Sequence, residues 1–411
     1  MIFKLNKSSS RVACAVLAMI FFSACNIQGN HSDERTLQLK KGARIFLIGN
    51  NLGSRMIYYD HFETELHLRY PDSLLFIRNM CDGGNSPGFR PNAGRESPWA
   101  FPGAEKFQTE LAHNSDSHGH FETEDQWLTR LKADIILAFF GYNESFGGKE
   151  GVEKYKAELD AFIKHTLRQK YNGITPPQLA IISPIAFEDL SSRYDLPDGK
   201  KENLNLALYT EAMKEVAAKN KVQFVDAFGP SQEWFDNSDD ALTIDGFQLT
   251  DQGYAKLSKL LTNKLFGESE SKAEAHRALV KAAVQEKNWM WLNDFKIPNA
   301  VHAYGVRYEP FGPENYPAEI LKLRQMTAIR DEAIWLAVKG EKMDVAAADQ
   351  KTMKLPEVKT NYAPSVKNGS LQYLYGQEAL NQFKLAPGYK IDLFATEKEF
   401  PDVAKAGSDL L

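Results

Sequence analysis

The chain has 411 residues, 43% hydrophobic and 25% charged, which is ordinary globular usage and ample material for a core. A formal charge of −5 and a pI near 6.1 supply no basic field, which argues against nucleic acid as a partner and leaves small neutral or cationic ligands open.

Residues 1–25 read as a signal. Lys4, Lys7 and Arg11 precede the apolar run Val12 to Ala24, which is too short to span comfortably as a mature helix. The end of the run, "FFSAC", resembles a bacterial lipobox, which implies lipidation of Cys25. The expected place is then the cell envelope, held at the membrane by lipid on the outer-membrane or periplasmic side. Of three cysteines, Cys14 leaves with the signal and Cys25 is acylated, so Cys81 alone remains and no disulfide framework is available.

A polar tether, residues 26–40, leads into residues 41–266, where five apolar runs alternate with helical patterns. The runs are "ARIFLIG" (43–49), "SLLFIRN" (73–79), "ADIILAFFG" (133–141), "QLAIISPI" (178–185) and "VQFVDAFG" (222–229). Each is too continuously apolar to have a wet face, as in a covered parallel sheet. Residues 55–70, 151–171, 205–220 and 251–266 place apolar groups at three- and four-residue spacing and predict helices, giving a doubly wound α/β domain. Its ligand site belongs beyond the carboxyl ends of the strands. A long loop over 81–122, rich in Gly, Pro, Asn and aromatics, predicts an ordered cap. Residues 267–342 predict a helical C-terminal appendage, 343–381 a linker, and 382–411 the opening of another domain with a strand and an acidic turn.

Strand ends carry the polar signals. Gly49-Asn50-Asn51 follows the first, "NMCDGGNS" with Gly83 and Gly84 the second, and "GYNES" with Asn143 and Glu144 the third; "TIDGFQLTDQGY" brings Asp245 and Gln248 before the last helix. Backbone N–H groups of glycines beside an asparagine amide can stabilise an oxyanion.

This order resembles the SGNH, or GDSL-type, hydrolases. The resemblance implies a flavodoxin-like three-layer α/β/α fold, a serine at the position of Asn51, oxyanion donors at Gly84 and Asn143, an orienting carboxylate at Asp245 and a histidine at Gln248. Neither Asn51 nor Gln248 can act as nucleophile or base at neutral pH. The implied function is binding of a carbohydrate or acyl-ester small molecule by an oxyanion cradle whose covalent machinery has been replaced, with no cofactor and no metal. An active carbohydrate esterase with another nucleophile is the alternative.

The stretches "IGNNLGSRM", "FFGYNESF" and "LAPGYKIDLFATEKEFPDVA" also resemble exported proteins of Planctomycetes and Bacteroidetes, in which such a region precedes a sugar-dehydrogenase-like, haem-binding propeller. That implies a third function, a scaffold with a dehydrogenase-like propeller protein as partner.

Other groups have bland readings beside functional ones. Ser54 is expected to cap a helix rather than attack an ester, and Cys81 to be a buried apolar group rather than a thiolate. Ser86 is a nearby hydroxyl, and Asp82 and Glu144 lack evident partners. His113, Asp116, His118 and His120 have metal-ligand types but read as a solvated loop. Trp99, Phe101, Trp289, Trp291 and Tyr304 could stack on sugar rings, and read first as core.

Overall fold

Runs of Ile, Leu, Val and Phe can bury both of their faces only as interior strands of a sheet covered on each side. In the computed structural model, which describes residues 36–91, 94–114, 119–358 and 374–396, five such strands form. They are β1 (Arg44–Gly49), β2 (Phe76–Asn79), β3 (Ile135–Phe139), β4 (Gln178–Ile182) and β5 (Gln223–Val225). All pairs are parallel and the order is β2-β1-β3-β4-β5, with Ile45 registered on Ile77 to one side and Ile135 to the other. Cys25 and the rest of the leader lie outside the described residues. Among the described residues, no helix is long and apolar enough to cross a membrane.

Strand alternation sorts the core into two layers. Ile45, Leu47, Ile135, Leu137 and Ile182 face α1 (Asn51–Tyr59), α2 (His61–Arg69) and a later helix, Asp251–Phe266. Phe46, Ile48, Ile136, Ala138 and Ile181 face α3 (Glu124–Leu131), α5 (Gly148–Arg168) and α6 (Lys200–Asn220), while a short helix α4 (Tyr142–Ser145) starts the connection into α5. Then come α7 (Phe228–Asp236) and α8, the helix over Asp251–Phe266. This is the three-layer α/β/α fold that the apolar runs imply.

The helix expected over 55–70 is two helices. Asp60, between α1 and α2, takes a left-handed backbone with φ 59°, a conformation Asp adopts more readily than most residues. Its buried carboxylate accepts a hydrogen bond from Asn288 Nδ2 at 2.9 Å, and burial raises its pKa to about 6. In the described part of the 81–122 loop Phe101, Ala104 and Phe121 are buried, and Arg90 forms a buried two-pronged pair with Glu124, both bonds 2.7 Å.

Beyond the sheet domain, α9 (Arg277–Phe295), α10 (Ala300–Ala303) and α11 (Gly312–Ala337) are the helical C-terminal region. They finish an edge. β2 is the outer strand, and side chains of α9 and α11 donate to carbonyls of β2 and of the residue before it: Trp335 Nε1 to Leu75 at 3.0 Å, Lys287 Nζ to Ile77 at 3.1 Å and Trp291 Nε1 to Asn79 at 2.7 Å. Two buried ion pairs join the same surfaces, Lys287 with Glu63 at 2.7 Å and Arg78 with Asp331 through bonds of 2.9 and 2.5 Å. Burial pushes the Glu63 carboxyl up, yet Lys287 and His67 outweigh it and hold its pKa low; burial pulls the Lys287 ammonium down.

Part of the expected linker is instead packed. α12 (Val345–Asp349) gives Asp349 to Arg330 at 2.7 Å, and Lys322 Nζ donates to the carbonyl of Met353 at 2.8 Å. The chain divides after Glu357 into a second compact unit. Its described residues, Val358 and 374–396, hold one short helix, α13 (Gly376–Leu380), and among them no strand forms where one was expected after residue 382.

Lys287→Met should strand the Glu63 carboxylate in the joint and cost about 3–5 kcal/mol. A Glu63→Gln/Lys287→Met double variant should recover most of that loss, both measured by urea unfolding.

Candidate active site

Close approach of two strands builds the rim. Gly49 ends β1 with φ 121°, where a Cβ would collide with the Phe139 carbonyl oxygen of β3, so only glycine fits. The Asn50 N–H donates to that carbonyl at 2.8 Å, and Asn50 becomes the N-cap position of α1. Asn51 is therefore the first residue of the helix, and its backbone N–H has no intrahelical acceptor. Ser54 lies one turn further in, with its N–H on the Asn50 carbonyl; it is not the cap, contrary to expectation.

The second and third strand ends are stitched to this turn. The Gly49 carbonyl accepts from Asp82 N–H at 2.8 Å and from Asn85 Nδ2 at 3.1 Å. Asn51 Oδ1 reaches the same segment, 3.9 Å from where a Cβ on Gly83 would sit. Asn143 Nδ2 donates to the carbonyls of Gly83 at 2.9 Å and Asn85 at 3.2 Å. That spends both of its hydrogens. Asn143 is a clamp across the rim, not the free oxyanion donor expected from the resemblance. The Gly84 N–H, by contrast, has no acceptor among the described residues.

The fourth segment approaches through aromatic contact. Phe247 stacks on Tyr142 with ring centroids 3.9 Å apart and planes at 9°. Asp245 Oδ1 accepts from the N–H groups of Phe247 at 3.1 Å and Gln248 at 2.7 Å, so it shapes its own turn. Burial, with Asp245 nearby, raises the Tyr142 pKa to about 12. No hydrogen bond among the described residues joins the Gln248 side chain to Asn51, Gly84 or Asn143. The rim thus gathers Asn51, Gly83, Gly84 and Asn143, with Phe247 and Asp245 beside Tyr142 and Gln248 next in the chain.

Gly84 and Asn143 also wall a cavity of about 270 Å3 that includes Ser86, Glu144, Tyr155 and Glu158. Glu144 Oε2 accepts from Gly141 N–H at 2.7 Å, and burial raises the Glu144 pKa to about 7. Ser86 Oγ stands 3.4 Å from Glu158 Oε1, which also accepts from Gly88 N–H at 2.8 Å. Tyr155 and Glu158 were not anticipated. The sequence held a signal for them: Gly147, Gly151, Tyr155 and Glu158 recur at spacings of four, four and three, one face of a helix.

The remaining expectations resolve by contact. Cys81 is buried, and burial pushes its thiol pKa well up, so it offers no thiolate. Asp82 does have a partner, Lys296 Nζ at 3.1 Å. Phe101, Trp291 and Tyr304 are buried and half-buried Trp99 packs on Phe89, so these four belong to the core, while Trp289 is exposed. His120 lies against Tyr308. Asp116 and His118 lie outside the described residues, as does the His113 side chain. Among the described residues no group of three or more His, Cys, Asp or Glu is placed to hold a metal ion.

Residues 83–256 match the GDSL-like lipase/acylhydrolase family. With the sheet order above, this gives the chain an SGNH-hydrolase α/β fold. The match begins at Gly83, after the turn that holds Asn51. No curated protein matches the chain. Among solved structures, a gut microbial diltiazem-metabolizing enzyme is similar at 10% identity, covering 74% of this chain and 97% of that one with a TM-score of 0.48. The acetylxylan esterase of Geobacillus stearothermophilus is 14% identical, covering 56% and 96% with a TM-score of 0.37. A protein of Parabacteroides merdae assigned as a GDSL-like lipase is also 14% identical, covering 56% and 99% with a TM-score of 0.40.

Because the folded state binds the Glu144 proton more tightly than the unfolded chain, its contribution is present below the ordinary carboxyl value of 4.5 and is lost as pH rises through about 7. Wild type should lose of order 2 kcal/mol more stability than Glu144→Gln between pH 5 and pH 8 in chemical unfolding.

Proposed function

We propose that this chain is a binding module on an ester-hydrolase fold, holding a carbohydrate or acyl-ester small molecule at the rim without cleaving it. The observation that carries the reading is the turn after β1. At the first position of α1, where the resemblance puts the attacking serine, stands Asn51, with its side chain toward Gly83. An amide cannot be activated for attack. Gln248 replaces the general base, and no histidine lies between His165 and His276 to stand in for it.

Two further features favour binding over turnover. Asn143 spends its donors on loop carbonyls, which removes one of the three N–H groups that would stabilise a tetrahedral oxyanion. The other polar groups gathered near the rim include amides: the backbone N–H of Asn51 and Gly84 and the side chains of Asn51 and Gln248. Paired donors and acceptors of this kind suit hydroxyl and acyl oxygens.

In this reading the module sits in the cell envelope, tethered by lipid on Cys25, where a polymeric or acylated glycan is within reach. A dehydrogenase-like propeller protein is the partner implied by the resemblance of the C-terminal segment, and the module would present ligand to it.

Hydrolysis of p-nitrophenyl acetate and of acetylated sugars by the chain starting at Asn26 should not exceed background. Asn51→Ser/Gln248→His should gain less than about tenfold, since the Asn143 donors remain engaged and one oxyanion contact is worth about 10²–10³ in rate. Turnover by wild type, together with fluorophosphonate labelling of Ser86, would overturn the reading in favour of an esterase.

A further inference from the structure

Charge is unevenly spread over this chain. Its formal total is −5, yet one groove of the sheet domain is lined by five Lys and Arg side chains against three carboxylates. The groove holds about 700 Å3, within the range of ligand sites, and shares no residue with the rim.

Helix geometry lays it out. Glu153, Lys156, Asp160, Lys164 and Arg168 recur along α5 at spacings of three, four, four and four, so they share one face, and that face is the floor. From Glu153 to Arg168 it runs about 22 Å. The 81–122 loop lines the groove with Phe101, Lys106 and Phe107, and α6 lines it with Glu215, Val216 and Lys219.

The charges are graded along α5. Toward its start, Lys156 bridges Glu153 at 3.2 Å and Glu215 at 2.6 Å, one cation to two carboxylates. Toward its end the balance reverses. Lys164 at 2.6 Å and Lys219 at 3.3 Å share Asp160, and Arg168 follows one turn on with no ion pair among the described residues. Lys106 also has no carboxylate there; its ammonium lies 4.9 Å from the centroid of the Phe107 ring. Lys106, Lys164, Arg168 and Lys219 thus have one carboxylate among them, and all four are exposed. A concave wall of one sign concentrates the field it presents to an incoming ligand. Between the charges lie Ala157, Ala161, Val216 and half-buried Phe107, an apolar strip on which carbon-bound hydrogens can pack.

We infer that this groove binds an acidic glycan, a run of sugar rings bearing carboxylate or sulfate groups. The acid groups pair with Lys106, Lys164, Arg168 and Lys219, and the rings lie on the apolar strip. The choice of a glycan among polyanions rests on the proposed carbohydrate reading; the surplus of positive charge does not. A membrane surface fits less well, because insertion needs apolar groups that protrude, whereas Phe101 is buried and Phe107 half-buried.

The test is affinity electrophoresis of the chain starting at Asn26 in gels that contain polygalacturonate, dextran sulfate or neutral xylan. At least one of the two acidic polymers should retard wild type. Lys106→Ala/Arg168→Ala should weaken that binding by about tenfold, with Tm unchanged because neither side chain is in an ion pair. Lys339→Ala/Lys342→Ala removes two exposed cations elsewhere and should leave it intact, as should Asn51→Leu/Gln248→Leu at the rim. Equal loss in the two charge variants, or loss only in the rim variant, overturns the groove. Retardation by xylan alone also overturns it and leaves the rim reading standing, whereas no retardation by any of the three overturns both. Sedimentation with phosphatidylglycerol vesicles that depends on Lys106 and Arg168, with neither acidic polymer bound, overturns the glycan in favour of a membrane surface.

Discussion

The contact between Gly49 and the Phe139 carbonyl governs the polar end of this molecule. Two parallel strands converge until no side chain fits between them, and the chain can leave β1 only by dropping into a helix at once. That forces Asn51 onto the rim and leaves the Gly49 carbonyl pointing at the loop after β2, where Asp82 and Asn85 bind it. Asn143 then ties the loop to the end of β3. Four backbone carbonyls are thus satisfied by side chains and backbone amides within one small area, which fixes the path of the turn after β1.

Behind the rim, the helical C-terminal region has a structural part in the site. Lys296 reaches Asp82 from the end of α9, and Asn288 holds Asp60 at the α1–α2 break. Buried pairs such as Lys287 with Glu63 give little net stability compared with apolar packing, yet they penalise any docking that leaves a charge alone. They act as a register between helices and sheet. The aromatic cluster of Trp127, Trp291 and Phe295 supplies the apolar counterpart, with the two indoles edge to face at 5.4 Å.

Much of this was legible in the chain. Five continuous apolar runs gave five strands, and the glycine after the first marked the turn, because both signals are local. The break at Asp60 was not, since the apolar spacing of 55–70 continues across it and the group that stabilises its carboxylate lies 228 residues away. Helix α7 was hidden for a different reason: Phe228-Gly229-Pro230 reads as a turn, and proline early in a helix is tolerated. The bonds of Asn143 to the Gly83 and Asn85 carbonyls were not legible, because whether an amide faces outward or clamps two carbonyls depends on loop path. Tyr155 and Glu158 looked like any amphipathic helix until the glycines beside them were seen to open space.

The side chains that finish β2 carry a consequence for assembly. An outer strand normally offers a ladder of free carbonyls to any extended segment, and proteins recruit partners or aggregate by strand addition there. Here indole and ammonium groups from α9 and α11 already occupy Leu75, Ile77 and Asn79. At the other end of the sheet β5 has only three residues. Neither margin therefore offers a long free template for strand addition.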